Sequence, residues 1–261
     1  MNNHHDHDNE YDDLFVAGLE WIWGEGFLSP GGPAEVAEIL KGVDLTGKHV
    51  LDIGCGIGGI DVLLVKEHGA AHVTGIDVEA PLIERANDTA LRAGVADQVT
   101  CQLVSPGPLP FEDGTFDVVF SKDAMIHIPD KEAIYNEIFR VLKAGGQLAF
   151  SDWFGSDQPD TPELKEWLVV VNLSLRMGSM EAAANLLQQI GFSEIETNDR
   201  NAWYAQNILE ELATLQGENY DRLAAQYGEE LAKQRLKSSS LKKVVVDQGL
   251  LRPVHIRAVR R

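Results

Sequence analysis

From about residue 45 to residue 200, short apolar runs alternate with longer stretches whose apolar positions recur every three or four residues. His49-Val50-Leu51-Asp52-Ile53 reads as a buried strand, and IDVLLVKEHG after it as a helix. His72 to Ile76, closed by Asp77, reads as a second strand, with a helix over residues 80–93. Val99 to Val104, Phe116 to Ser121 and Leu148 to Ser151 give three more strands, with EIFRVLKAGG as the helix before the last, ending at Gly145-Gly146. A helix over 180–190 leads to FSEIETN as a sixth strand, and Pro253 to Val259 reads as a final, edge strand. Strands separated by helical patterns of 10–15 residues predict an α/β fold, a mostly parallel sheet with helices on both faces.

The flanks differ from this core. The first ten residues, MNNHHDHDNE, are polar and acidic and read as a disordered tail. Residues 11–44 form an N-terminal helical segment. Leu14, Phe15, Leu19, Trp21, Ile22 and Trp23 mark its first apolar face, and Pro33 opens a second helix. Residues 203–240 read as a helical insertion between two parts of the core, 45–202 and 241–261.

Composition adds limits. The 261 residues are 44% hydrophobic and 24% charged, which fits a soluble globular protein. No apolar run approaches the roughly 18 residues of a membrane helix, and the polar start excludes a signal peptide. A cytoplasmic protein is expected. The net charge of −19 disfavours nucleic acid and anionic membranes as partners. The balance is uneven, however: residues 233–261 hold nine Lys/Arg against the single acid Asp247. That basic segment either pairs with the acidic body or forms a local anion site. Cys55 and Cys101 are too few for a disulfide framework, and their neighbours do not suggest zinc. His4, His5 and His7 read as a solvated tail, so no metal is expected.

The first strand runs into Gly54-Cys55-Gly56-Ile57-Gly58-Gly59, a turn that lets a ligand approach backbone N–H groups and a helix N-terminus. Glycines alone leave a dinucleotide possible. Asp77 at the end of the next strand is placed for ribose hydroxyls, and the turn has no Arg or Lys for a phosphate. An adenosine bearing a sulfonium amino acid fits this better than a dinucleotide. Asp123 and His127 are four residues apart, on one face of a helical turn, where a carboxylate can hold an ammonium and an imidazole can take its proton.

VLDIGCGIGG, GIDV, LPFEDGTFDVVFSKDAMIHI and RVLKAGG, in that order, resemble the class I S-adenosylmethionine-dependent methyltransferases. The resemblance implies a Rossmann-like, seven-stranded, mostly parallel sheet with a helical lid insertion, and S-adenosyl-L-methionine as cofactor. It places Leu28, Ser29, Asp52, Gly54, Gly56, Asp77, Val78, Ser105 and Lys122 at that cofactor. Ser105 stands where the family has Asp, and Pro106 has no N–H to offer, so adenine would be held through the Ser105 hydroxyl or Gly107.

Tyr11 and the segment Glu20-Trp21-Ile22-Trp23-Gly24-Glu25, with Ser121-Lys122-Asp123-Ala124-Met125-Ile126-His127, resemble the phosphoethanolamine and sarcosine/dimethylglycine N-methyltransferases. By that resemblance Tyr11, Asp123 and His127 are catalytic, Tyr11 pairing with His127 on a flap over the cofactor. Tyr11, Asp123, Trp153 and Trp167 would then meet the substrate, although the two tryptophans suit a core equally well. The phosphate-holding Arg and Tyr of the phosphobase enzymes are missing from Trp167-Leu168-Val169-Val170-Val171-Asn172-Leu173; Arg176 is the nearest cation, and Lys242 or Lys243 could approach. A smaller or less charged amine, such as a glycine derivative, gains ground. Methylation of sulfur or carbon on an acidic or apolar metabolite, and cofactor binding without catalysis, are the alternatives.

Overall fold

The computed structural model describes residues 11–155, 161–172, 175 and 177–261. The expected tail over 1–10 and Arg176 lie outside them. Seven strands form one sheet in the order β3-β2-β1-β4-β5-β7-β6. They are β1 (His49–Ile53), β2 (His72–Asp77), β3 (Val99–Leu103), β4 (Phe116–Lys122), β5 (Leu142–Gly155), β6 (Phe192–Asp199) and β7 (Leu251–Arg260). The first five run parallel, and β7 runs antiparallel to both neighbours.

Alternate residues of the central strands feed two separate cores, which is why these strands read as continuous apolar runs. Leu51, Val119 and Phe150 pack against α5 (Lys131–Val141) and α7 (Met180–Ile190). Val50, Val118 and Phe120 face α2 (Gly32–Ile39), α3 (Gly59–Lys66) and α4 (Ala80–Arg92). EIFRVLKAGG is helical only to Val141, and Leu142 already belongs to β5.

The expectation of an edge position for residues 253–259 is corrected: β7 lies inside the sheet, and β3 and β6 are its edges. The reason is local. In an antiparallel strand one residue's N–H and C=O point to the same side. Pro253 O accepts from Arg200 N at 2.9 Å, just past the last paired residue of β6, Asp199. The missing proline N–H therefore falls beyond that strand's end and breaks no ladder bond.

Two helical layers sit over the C-terminal edge of the parallel strands. One is α1 (Asp13–Trp23), capped by the Asp12 side chain on Phe15 N. The other is the helical stretch expected over 203–240, which comprises α8 (Asn201–Ala213), α9 (Gly217–Tyr227) and α10 (Glu229–Asp247). Together with α6 (Pro162–Val171) they bury Trp167, Tyr204, Val245 and Leu251. No described helix is long and apolar enough to cross a membrane.

Candidate active site

The glycine turn takes its shape from its neighbours. Gly54 has φ +78°, and a Cβ there would overlap the Ala124 side chain. Gly54 N and Cys55 N both donate to Ile76 O, at 2.8 and 3.0 Å, which ties the turn to the end of β2. A Cβ on Gly56 would stand 3.0 Å from Leu28, so Leu28 lies directly against the turn. Val16, Ile57 and Leu82 pack together, with Tyr11 and Leu28 at their margin, and so fix α1 over the turn.

Asp77 closes β2 beside it. Its carboxylate accepts from Gly56 N (3.0 Å), Val78 N (2.7 Å) and Glu79 N (3.1 Å). Burial pushes its pKa up, and these three N–H groups pull it back. A carboxylate offers about four acceptor positions, so one remains for a ribose hydroxyl and a second hydroxyl must displace a backbone N–H. Val78 and Ser105 are exposed beside it.

Asp52 lies below the turn at 1% exposure. Burial and the nearby Asp61 and Asp77 push its pKa well above the usual carboxylate range, and burial pushes Asp61 the same way. Cys55 and Cys101, 46 positions apart in sequence, meet Asp61 here, their ligand atoms lying within 4.8 Å of one another. The hydrogen bond to Cys101, and after it burial, hold the Cys55 thiol well above its usual range.

Above the strand ends a chamber of about 110 Å³ opens, bounded by Tyr11, Ser29, Asp123, His127, Trp153 and Trp167 among others. The fold thus gathers the three expected catalytic residues and both tryptophans in one place. Tyr11 Oη lies 3.3 Å from His127 Nε2, a contact between the segment leading into α1 and the short turn that follows β4. The expected helical turn is corrected: Asp123 is left-handed (φ 56°), and the short 3₁₀ turn begins after it, at Met125–His127. That strain is held by side-chain bonds. Asp123 Oδ1 accepts from Ser151 Oγ at 2.7 Å, and Oδ2 accepts from Lys122 Nζ at 2.6 Å. Lys122 Nζ also donates to Ser29 Oγ at 2.7 Å, stapling the segment after α1 to β4.

Trp153 stacks edge-on against Tyr204 at 4.8 Å, and Trp167 is buried, so both serve the core and the chamber wall at once.

Sequence reasoning missed three groups. Asp152 is buried under the 3₁₀ turn and accepts from Ile126 N at 3.0 Å; its place beside Ser151 on a strand carried no signal. Trp23, read only as part of the apolar face of the N-terminal segment, lines the chamber. Arg235 reaches the chamber from α10, where its spacing to Ser239 and Lys242 on one helix face was the available clue.

A family model described as a methyltransferase domain matches residues 44–227. The chain is 32% identical over 212 residues to a phosphoethanolamine N-methyltransferase of Triticum aestivum, spanning 81% of this chain but 41% of that protein. The structure superposes with TM-score 0.89 on phosphoethanolamine N-methyltransferase 2 of Haemonchus contortus, solved with phosphomonomethylethanolamine and S-adenosylhomocysteine. That match is 25% identical and covers 97% of this chain and 59% of the other. A structure titled as a putative sarcosine dimethylglycine methyltransferase from Galdieria sulphuraria gives TM-score 0.79 at 22% identity, covering 95% and 98%; it shares the fold. With the turn, the acid closing β2 and the strand order all in agreement, the chain belongs to the methyltransferase-domain family.

Proposed function

We propose that this protein is an S-adenosylmethionine-dependent N-methyltransferase acting on a small amine of the ethanolamine or glycine type, in the cytoplasm. One observation carries the reading: Tyr11, Asp123 and His127 line a single chamber together with Leu28, which itself lies against Gly56 of the glycine turn. The free, buried state of both cysteines and the acidic charge support a cytoplasmic setting.

When bound, the cofactor supplies a methyl group on a sulfonium, open to in-line attack. The donor set fits it: Asp77 has one acceptor position left for ribose, and Leu28 and the turn offer apolar and backbone surface. The chain's own residues handle the acceptor. An ammonium must lose its proton before its nitrogen can attack, and the Tyr11 hydroxyl can accept that proton while giving its own to His127 Nε2. Tyr11 fixes the imidazole through their 3.3 Å contact and lays α1 across the chamber mouth, shutting out water. Asp123 is already neutralised by Lys122, so it orients the amine as a hydrogen-bond acceptor rather than as a free charge. Trp153 and Trp167 present faces on which a methylated ammonium can rest. In this reading α1–α2 is the flap and α8–α10 the lid on a core formed by the sheet.

The test is methyl transfer from S-adenosylmethionine to a panel of small amines, measured by mass spectrometry. General acid–base help is worth about 10²–10⁴-fold. His127→Ala is expected to lose turnover in that range while cofactor affinity by calorimetry stays within about threefold. If His127→Ala keeps more than a third of wild-type turnover, against that expected loss, the histidine is structural.

A further inference from the structure

Among the described residues, the buried cations around the site are matched with acids, save one. Lys122 has Asp123 at 2.6 Å, and Lys242 has Glu211 at 2.9 Å. Arg235 is 6% exposed, lines the chamber, and makes no ion pair with a described carboxylate. Its Nη2 donates to Phe15 O at 2.7 Å, and its guanidinium lies over the Phe15 ring at 4.1 Å. Its Nε is buried without a partner. The passage is built for it: a Cβ on Gly18 would stand 2.6 Å from that Nε. Burial lowers its pKa to about 10, which leaves it cationic at neutral pH.

An unmatched buried guanidinium is costly, because its desolvation is not offset by a partner charge. Two residues that line the chamber carry further unmatched donors: the indole N–H groups of Trp23 and Trp167 are buried with no partner among the described residues. Ser238 and Ser239 of α10 add hydroxyls. The residues lining the chamber thus carry three buried donors without a described partner, and one positive charge on which the Asp12 carboxylate acts only at longer range, with no ion pair.

We propose that Arg235 binds an anionic group of the methyl acceptor and that this group is a carboxylate, making the acceptor a compact amino-carboxylate. The inference deepens the amine-methyltransferase reading and rests on it. Charge decides between anions. A phosphate monoester carries about −1.5 to −2 near pH 7 and three strong acceptor oxygens. The α6 wall that would face them is Trp167 and Val171, and Lys242 is already neutralised by Glu211. One guanidinium matches one carboxylate in charge and in its two-pronged geometry, and neutral indole N–H groups can complete the set.

The experiment uses the full chain with S-adenosylmethionine and three amines: sarcosine (carboxylate), phosphoethanolamine (phosphate) and ethanolamine (neutral). Wild type is expected to favour sarcosine in kcat/KM by at least about tenfold. Arg235→Gln is expected to raise the KM for sarcosine about 10–100-fold more than the KM for ethanolamine, and Arg235→Lys to recover part of that difference. Preference for phosphoethanolamine in wild type overturns the proposal, and so does an Arg235→Gln variant that impairs ethanolamine as much as sarcosine. The wild-type ranking stands even if a variant does not fold. Should no amine be methylated, the amine-transfer reading falls, and a binding assay decides the Arg235 proposal separately. That assay follows tryptophan fluorescence with S-adenosylhomocysteine present. Quenching by sarcosine but not ethanolamine, lost in Arg235→Gln, upholds the carboxylate site; its absence overturns it.

Discussion

Asp152 shows how one buried carboxyl shapes the site without touching it. At 2% exposure it accepts Ile126 N, with Lys131 3.8 Å away and Asp123 nearby. Burial is the largest influence on its pKa, which rises to about 7. Because the folded value lies above the unfolded value of about 3.9, the carboxyl's contribution is complete below pH 4 and is lost as pH climbs through 7. Between pH 5 and 8 the wild type is expected to lose on the order of 2 kcal/mol of stability from this group. Asn at this position keeps an acceptor for Ile126 N and has no proton to lose. Urea melts of Asp152→Asn at pH 5 and pH 8 are therefore expected to differ less than those of wild type; parallel pH dependence in the two proteins would refute the assignment.

At the scale of elements, the close approach of the flap to the core rests on one glycine. Gly59, in the first turn of α3, has helical backbone angles, so its lack of a side chain serves space rather than conformation. A Cβ there would overlap the Gly26 carbonyl, backbone against backbone. Gly59→Ala is expected to loosen the flap by about 1–3 kcal/mol, the usual cost of overpacking. Hydrogen exchange in α1 is then expected to quicken roughly 5–150-fold while β1, β4 and β5 keep their protection; uniform loss across the sheet would point instead to damaged core packing. This glycine was visible in the sequence as part of a ligand-binding turn, but its contact with residue 26 was not. The same division holds elsewhere. Strands β1 to β4, β6 and the middle of β5 follow from local apolar pattern and turn chemistry, so the positions of Asp77 and His127 were legible, whereas the first residues of β5 read as helix. The place of β7 within the sheet, the left-handed Asp123, and the reach of Arg235 into the chamber depend on pairings between distant segments. The Glu35 carboxylate, which binds Arg200 and His255 at once and so pins α2 to β7 and the start of α8, is a pairing of the same distant kind.

The whole molecule carries −19, and the structure shows where its bases go. Arg252 reaches Asp199 and Arg257 reaches Glu196, so much of the basic C-terminal segment does pair with the acidic body. Such part-exposed pairs are each worth about 0–1 kcal/mol and weaken with salt. The opposing effect is larger. With 41 acids against 22 bases, most carboxylates have only like neighbours at long range, and compaction raises their mutual repulsion. Screening shortens the reach of that repulsion from roughly 30 Å at 0.01 M salt to about 8 Å at 0.15 M. Potassium chloride is therefore expected to stabilise this protein despite loosening its surface pairs. A gain of one to two kcal/mol corresponds to a rise in Tm of about 2–8 °C for a chain of this size. The shape of the curve tests the cause. Screening of self-repulsion saturates once the Debye length falls below the spacing of surface charges, so the rise is expected mostly below about 0.3 M. A Tm that climbs steadily to molar salt would instead indicate exclusion of salt from apolar surface, and a Tm that falls would mean that the C-terminal ion pairs outweigh the repulsion.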